Sequence, residues 1–168
     1  MNGRLLLAAL LATGLAQADP AAEALFAQCP SGIPSRDLQG RPLDWPALRT
    51  SPVLAVIWSP DCAFCARHNE KLGRVLRETP GAAVIGLAVD GTPEAVKRAV
   101  QRRGYEFPVL VDGHGPCALR PQLTPRRVVP MTCWLGDAPR PPRCIPGEMS
   151  EDDLRELLKV QARSRRQS

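Results

Sequence analysis

The sequence predicts one layered α/β domain, a central mixed β-sheet flanked by helices. Two observations carry that class. Val53-Leu54-Ala55-Val56-Ile57-Trp58 is an unbroken apolar, β-branched run, the pattern of a strand buried on both faces. After it the segments alternate as helix, strand, helix, strand, short helix, hairpin, helix, an order that implies right-handed crossovers onto one sheet. The length, 168 residues, suits one domain with a real core and is short for two.

Each element has a local reason. Asp37-Leu38-Gln39-Gly40-Arg41 is a turn signal between two short extended pieces within 33–43. A helix is expected from the cysteine pair Cys62 and Cys65, with Cys65, Leu72, Val75 and Leu76 on one face and Thr79-Pro80-Gly81 as its stop. Residues 82–89 form the next buried strand. Thr92-Pro93-Glu94 then supplies an N-cap, a first-turn proline and an acid for the helix dipole. Val96, Ala99, Val100 and Arg103 repeat at helical spacing, and Gly104 closes that helix. Residues 107–112 make a short strand and a polar Gly-rich turn follows. Residues 131–135 and 143–145 form a hairpin around the Pro-rich loop 136–142. Ser150 caps a last helix with Leu154, Leu157 and Leu158 on its apolar face.

The ends carry separate signals. Arg4 precedes an uncharged run from Leu5 to Ala16, and Ala16-Gln17-Ala18 is a small-x-small cleavage pattern. Residues 1–18 therefore read as a secretory signal peptide, the run being short of the roughly 20 apolar residues a membrane span needs. An uncleaved anchor is the alternative. Residues 19–32 are a lead-in, helical or disordered over Ala21–Gln28, 33–162 the domain, and 163–168 a basic disordered tail. Export places the product in the periplasm or a comparable oxidising compartment. The net charge of +5 owes much to Arg163, Arg165 and Arg166. These fit a solvated terminus better than a nucleic-acid surface, and aromatic residues for base stacking are scarce.

All six cysteines, Cys29, Cys62, Cys65, Cys117, Cys133 and Cys144, lie beyond the leader. Only Cys62 and Cys65 have two-residue spacing, in Trp58-Ser59-Pro60-Asp61-Cys62-Ala63-Phe64-Cys65. A strand ends there and a helix begins. Unpaired N–H groups and the dipole at a helix start favour an anion, the setting in which a cysteine attacks as a thiolate. Cys65, one turn on, is shielded yet within reach. That division suits disulfide exchange, with Cys62 attacking and Cys65 resolving the mixed disulfide. A closed zinc site lacks partners, because the only histidines are His68 and His114. His68 is expected to face solvent on the helix's first turn, with dithiol tuning or copper binding as the alternatives. His114 is a loop residue. Pro130, in Val129-Pro130-Met131-Thr132, reads on its own as a strand-start proline.

With these segments in place, the chain resembles the thioredoxin superfamily, in particular the exported TlpA/ResA/DsbE-like branch. The resemblance rests on Asp37–Leu43, the dithiol, Gly86–Asp90 with Thr92–Glu94, Phe107–Asp112, Val129–Thr132, and Gly147 with Ser150–Leu154. It implies a thioredoxin-like fold with an N-terminal β-hairpin and an inserted helix–strand element. It implies Pro130 as a cis-proline beside Cys62 and Cys65. No cofactor and no bound metal are expected. The branch typically reduces disulfides of exported proteins, often in cytochrome c maturation, with electrons from a membrane reductase. Ala63-Phe64 departs from the Gly-Pro of thioredoxin, Asp61 from a common Trp, and Val56 from a buried carboxylate. Ser59-Pro60-Asp61-Cys62 also resembles MauD-type proteins, which leaves the electron direction open.

Of the remaining cysteines, Cys133 and Cys144 are expected to pair across the hairpin. Elimination then leaves Cys29 with Cys117. The alternative makes Cys133, three residues after Pro130, an electron relay to the dithiol. Two competing functions stand beside the oxidoreductase: a copper metallochaperone of the same fold, and a non-catalytic module with structural cysteines only.

Overall fold

The structure, a computed structural model, describes residues 34–44, 52–135 and 142–166. The expected signal peptide, the lead-in with Cys29 and most of the Pro-rich loop lie outside the described residues. The main elements in chain order are strand β1 (Val53–Trp58), helix α1 (Ala63–Glu78), strand β2 (Val84–Ala88), helix α2 (Pro93–Arg103) and strand β3 (Val109–Val111). A 3-10 turn (Gly115–Cys117), helix α3 (Arg120–Leu123), strand β4 (Met131–Leu135), strand β5 (Arg143–Pro146) and helix α4 (Glu151–Arg165) follow.

The five strands form one mixed sheet in the order β3-β2-β1-β4-β5. β1 lies at its centre, parallel to β2 and antiparallel to β4, with Val56 opposite Gly86 on one side and Thr132 on the other. That position explains its composition, since both faces of all six residues are covered. Pleating sends Leu54, Val56 and Trp58 into a core with Leu72 and Val75 of α1, Val96 and Val100 of α2, and Leu154 and Leu158 of α4. Val53, Ala55 and Ile57 point the other way, against Leu119 and the half-buried Leu123.

The expected helix signals act as caps. Thr92 accepts the Ala95 N–H, Ser150 accepts the Asp153 N–H, and Gly104 ends α2 in the left-handed conformation at φ 62°. Of the α2 stripe, Val96, Ala99 and Val100 are buried, while Arg103 is exposed and pairs with Glu70 at 2.8 Å. The N-terminal turn closes through one antiparallel bridge, Arg36 with Pro42. It docks on β3 through the Leu38 N–H to the Val109 carbonyl at 2.7 Å.

The last helix corrects the expected tail. It continues through Arg165, so residues 163–165 are helical. Gln161 and Ala162 are buried and extend the inward stripe beyond Leu158. Gln161 bonds the Ala83 N–H and the Pro52 and Ala83 carbonyls, and Arg165 also reaches the Pro52 carbonyl at 3.2 Å. The basic residues at this end suit the helix dipole.

Candidate active site

The site begins where β1 delivers the chain into α1. Cys62 is the N-cap of α1, and its Sγ accepts the Cys65 N–H at 3.2 Å. A cap position leaves donors of the first turn pointing at that sulfur. Both cysteines are free thiols, Cys62 half-buried and Cys65 fully buried. Burial, reinforced by the Cys62 side chain, pushes the Cys65 thiol up to about 12. The two sulfurs thus differ in access: one faces outward and the other is enclosed.

Facing Cys62 is the loop that enters β4. The Val129–Pro130 peptide bond is cis, and Cys62 Sγ lies 4.0 Å from the Val129 carbonyl oxygen. An open groove of about 510 Å³ runs beside it, lined by Phe64, Lys71, Val129, Pro130 and residues 147–150. Phe64 is 59% exposed at its edge, with the Arg67 guanidinium 4.5 Å from its ring centre.

Three α1 side chains tie that groove together. Glu148 receives Arg67 at 2.8 Å and Lys71 at 2.7 Å, and these bonds hold its carboxyl below the usual range. His68 was expected to face solvent, and the structure corrects this: it is completely buried. Its Nδ1 accepts the Met149 N–H at 3.2 Å, and its Nε2 lies 3.2 Å from Thr132 Oγ1. With Nδ1 accepting, Nε2 is the protonated nitrogen and donates to the hydroxyl. Burial lowers its pKa to about 4. One neutral imidazole therefore joins α1 to β4 and to the segment before α4. The signal was in the spacing: His68 stands three residues after Cys65 and four before Leu72, both on the inward face.

The other cysteines sit elsewhere. Cys133 and Cys144 are register partners across β4 and β5 and form a disulfide. Cys133 packs with Ala55 and Ile57, on the sheet face opposite the cluster that contains Cys65. Strand alternation thus separates it from the dithiol, although it follows Pro130 by only three positions. Cys117 is disulfide-bonded; the expected partner, Cys29, lies outside the described residues. His114 is exposed in its loop. Among the described residues no three His, Cys, Asp or Glu side chains cluster as metal ligands.

No protein-family model and no curated protein matches the sequence. Solved structures do match. A secreted Mycobacterium tuberculosis disulfide oxidoreductase homologous to E. coli DsbE superposes with TM-score 0.61 at 22% identity, over 75% of this chain and 93% of that one. A thioredoxin-family thiol:disulfide interchange protein from Chlorobium tepidum gives TM-score 0.65 at 16% identity, over 76% and 90%. The chain has the thioredoxin fold. StoA from Bacillus subtilis shares it, with TM-score 0.59 at 16% identity over 73% of this chain and 92% of that one. In this thioredoxin fold the dithiol and the cis-proline come from distant parts of the sequence. They meet because β1 and β4 are neighbours in the sheet.

Proposed function

We propose that the chain is an exported thiol–disulfide oxidoreductase that reduces disulfides of exported proteins. The observation that carries this reading is the pairing of a half-exposed Cys62 at a helix N-cap with a buried Cys65, beside a cis-proline. Cys62 attacks one sulfur of a client disulfide and displaces the other as a thiolate. The Cys65 sulfur then attacks Cys62, releases the second client thiolate and leaves a Cys62–Cys65 disulfide. The client gains two electrons and the chain loses two. A membrane reductase in the same compartment is the donor this reading calls for, and c-type cytochrome precursors are among the clients it admits. The secreted relative of the same fold and the N-terminal leader pattern support export. Among the described residues no helix is long and apolar enough to cross a membrane.

The copper-carrier reading has less support, because both ring nitrogens of His68 are already engaged. A turnover assay tests the proposal: the reduced protein should cleave a model disulfide, and Cys62→Ser should abolish that cleavage. Retained activity in Cys62→Ser would overturn it. The potential of the couple tests direction. A value near about −270 mV supports a reductase, and one near about −120 mV would make the chain an oxidant instead.

A further inference from the structure

The segment that enters β4 carries charge that disulfide exchange itself does not use. Arg126 and Arg127 are exposed in the loop between α3 and the cis-proline, and neither has an ion-pair partner among the described residues. The cations of α1 beside the groove are different, since Arg67 and Lys71 share Glu148. The opposing charges on this face are Glu148 and Asp61, which is exposed next to Cys62. Four cations against two carboxylates leave the face net positive.

The unpaired arginines stand close to the attacking sulfur. Cys62 Sγ lies 4.0 Å from the Val129 carbonyl oxygen. Arg127 precedes Val129 by two residues and Arg126 by three, so even a fully extended chain keeps their Cα atoms within about 7 and 11 Å of that of Val129. The screening length at physiological salt is about 8 Å, so both charges act on whatever reaches Cys62.

Two further features say what form that occupant takes. The N–H groups of Arg127, Val128 and Val129 meet no acceptor among the described residues, and an open backbone edge accepts an extended peptide as an added strand. Phe64, in the turn between the cysteines, is 59% exposed, and Val128, beside Arg127, is 53% exposed. The edge thus suits a protein segment, and the unpaired basic pair makes acidic side chains its complement.

We propose that the site selects clients whose disulfide lies in an extended segment with acidic residues within about four positions of the attacked cysteine, read by Arg126 and Arg127. The proposal rests on the reading of Cys62 as the attacking thiol and narrows its substrate class. Opposite charge speeds the encounter and orients the segment before the sulfurs meet; it leaves the exchange chemistry unchanged.

Reduced chain is mixed with two synthetic peptides, each closed by one disulfide. They are identical except that the residues flanking each cysteine are glutamates in one and lysines in the other. Acid quenching and chromatography follow the peptide thiols, and neutral hydroxyethyl disulfide serves as the reference substrate. The acidic peptide should react roughly tenfold faster than the basic one at low salt. About 1 M salt, where the screening length falls to about 3 Å, should remove most of that difference. Arg126→Gln combined with Arg127→Gln should bring the two rates to within about twofold of each other. Equal rates for the two peptides at low salt, or an unchanged ratio in the folded double variant, would overturn the selectivity, while reaction with hydroxyethyl disulfide would leave the dithiol reading intact. If the double variant does not fold, the salt series decides, and a ratio that persists at high salt overturns the proposal. Equal rates together with sedimentation of the chain on phosphatidylglycerol vesicles would assign the basic pair to a lipid surface and overturn it as well. No reaction with any of these disulfides would overturn the dithiol reading and the selectivity with it.

Discussion

Cys62 and Cys65 are one helical turn apart, and burial separates their chemistry. Cys65 carries the full cost of desolvation, which keeps its thiol protonated until a partner sulfur is presented. His68 shows the same force on a base. The folded chain takes up that proton only near pH 4, whereas an unperturbed histidine does so near 6.5. Between those values the unfolded chain binds more protons than the folded one. The His68 contribution is therefore complete above about pH 6.5 and is lost as pH falls toward 4, by about 3 kcal/mol. Urea unfolding from pH 7 to pH 4 should show that loss, and His68→Gln should flatten it by comparison. An equal slope in the variant would place the titration elsewhere. At this scale the sequence was only partly legible. The cysteine pair stands out by spacing, but His68 and Asn69 are polar residues on a buried ridge. Only their periodicity with Cys65 and Leu72, not their chemistry, marks them as inward.

The elements hold the site by close contact more than by surface charge. Glu151 with Arg74 and Glu78 with Arg155 link α1 to α4, and solvent screens exposed pairs of this kind so that they add little. Packing matters more. At Gly86 of β2 a Cβ would come within 2.9 Å of Phe107 and 3.2 Å of Trp58 Nε1. Gly86→Ala should lower stability by about 1–3 kcal/mol, measured by thermal unfolding; an unchanged midpoint would show that the aromatic cluster yields. The hairpin disulfide closes a separation of 11 residues. Replacing Cys133 and Cys144 together by alanine should cost about 2–4 kcal/mol and leave disulfide turnover unchanged, because the pair lies across the sheet from Cys65. Loss of turnover in folded double variant would revive the relay role. Element identities were legible because Thr92-Pro93, Gly104 and Ser150 are local signals. The extension of α4 was not. It depends on Gln161 meeting the Pro52 and Ala83 backbone, a contact between segments far apart in the chain.

At the scale of the molecule, topology does what no local segment can. The sheet order puts β4 beside β1, so the residues before Met131 arrive at the helix start that follows Trp58. The alternation of elements made the α/β class legible, and the resemblance supplied the role of Pro130. The groove was not legible in the sequence, since Lys71, Glu148 and Met149 are brought together only by the packing of α1 against the approach to α4. Every role proposed for the site depends on Cys62 attacking and Cys65 resolving. Cys65→Ser should therefore accumulate a covalent adduct when mixed with a disulfide-bonded protein, and peptide mapping should place the bond at Cys62. Lack of an adduct in the folded variant, or an adduct that persists when Cys62 is also replaced by serine, would contradict it.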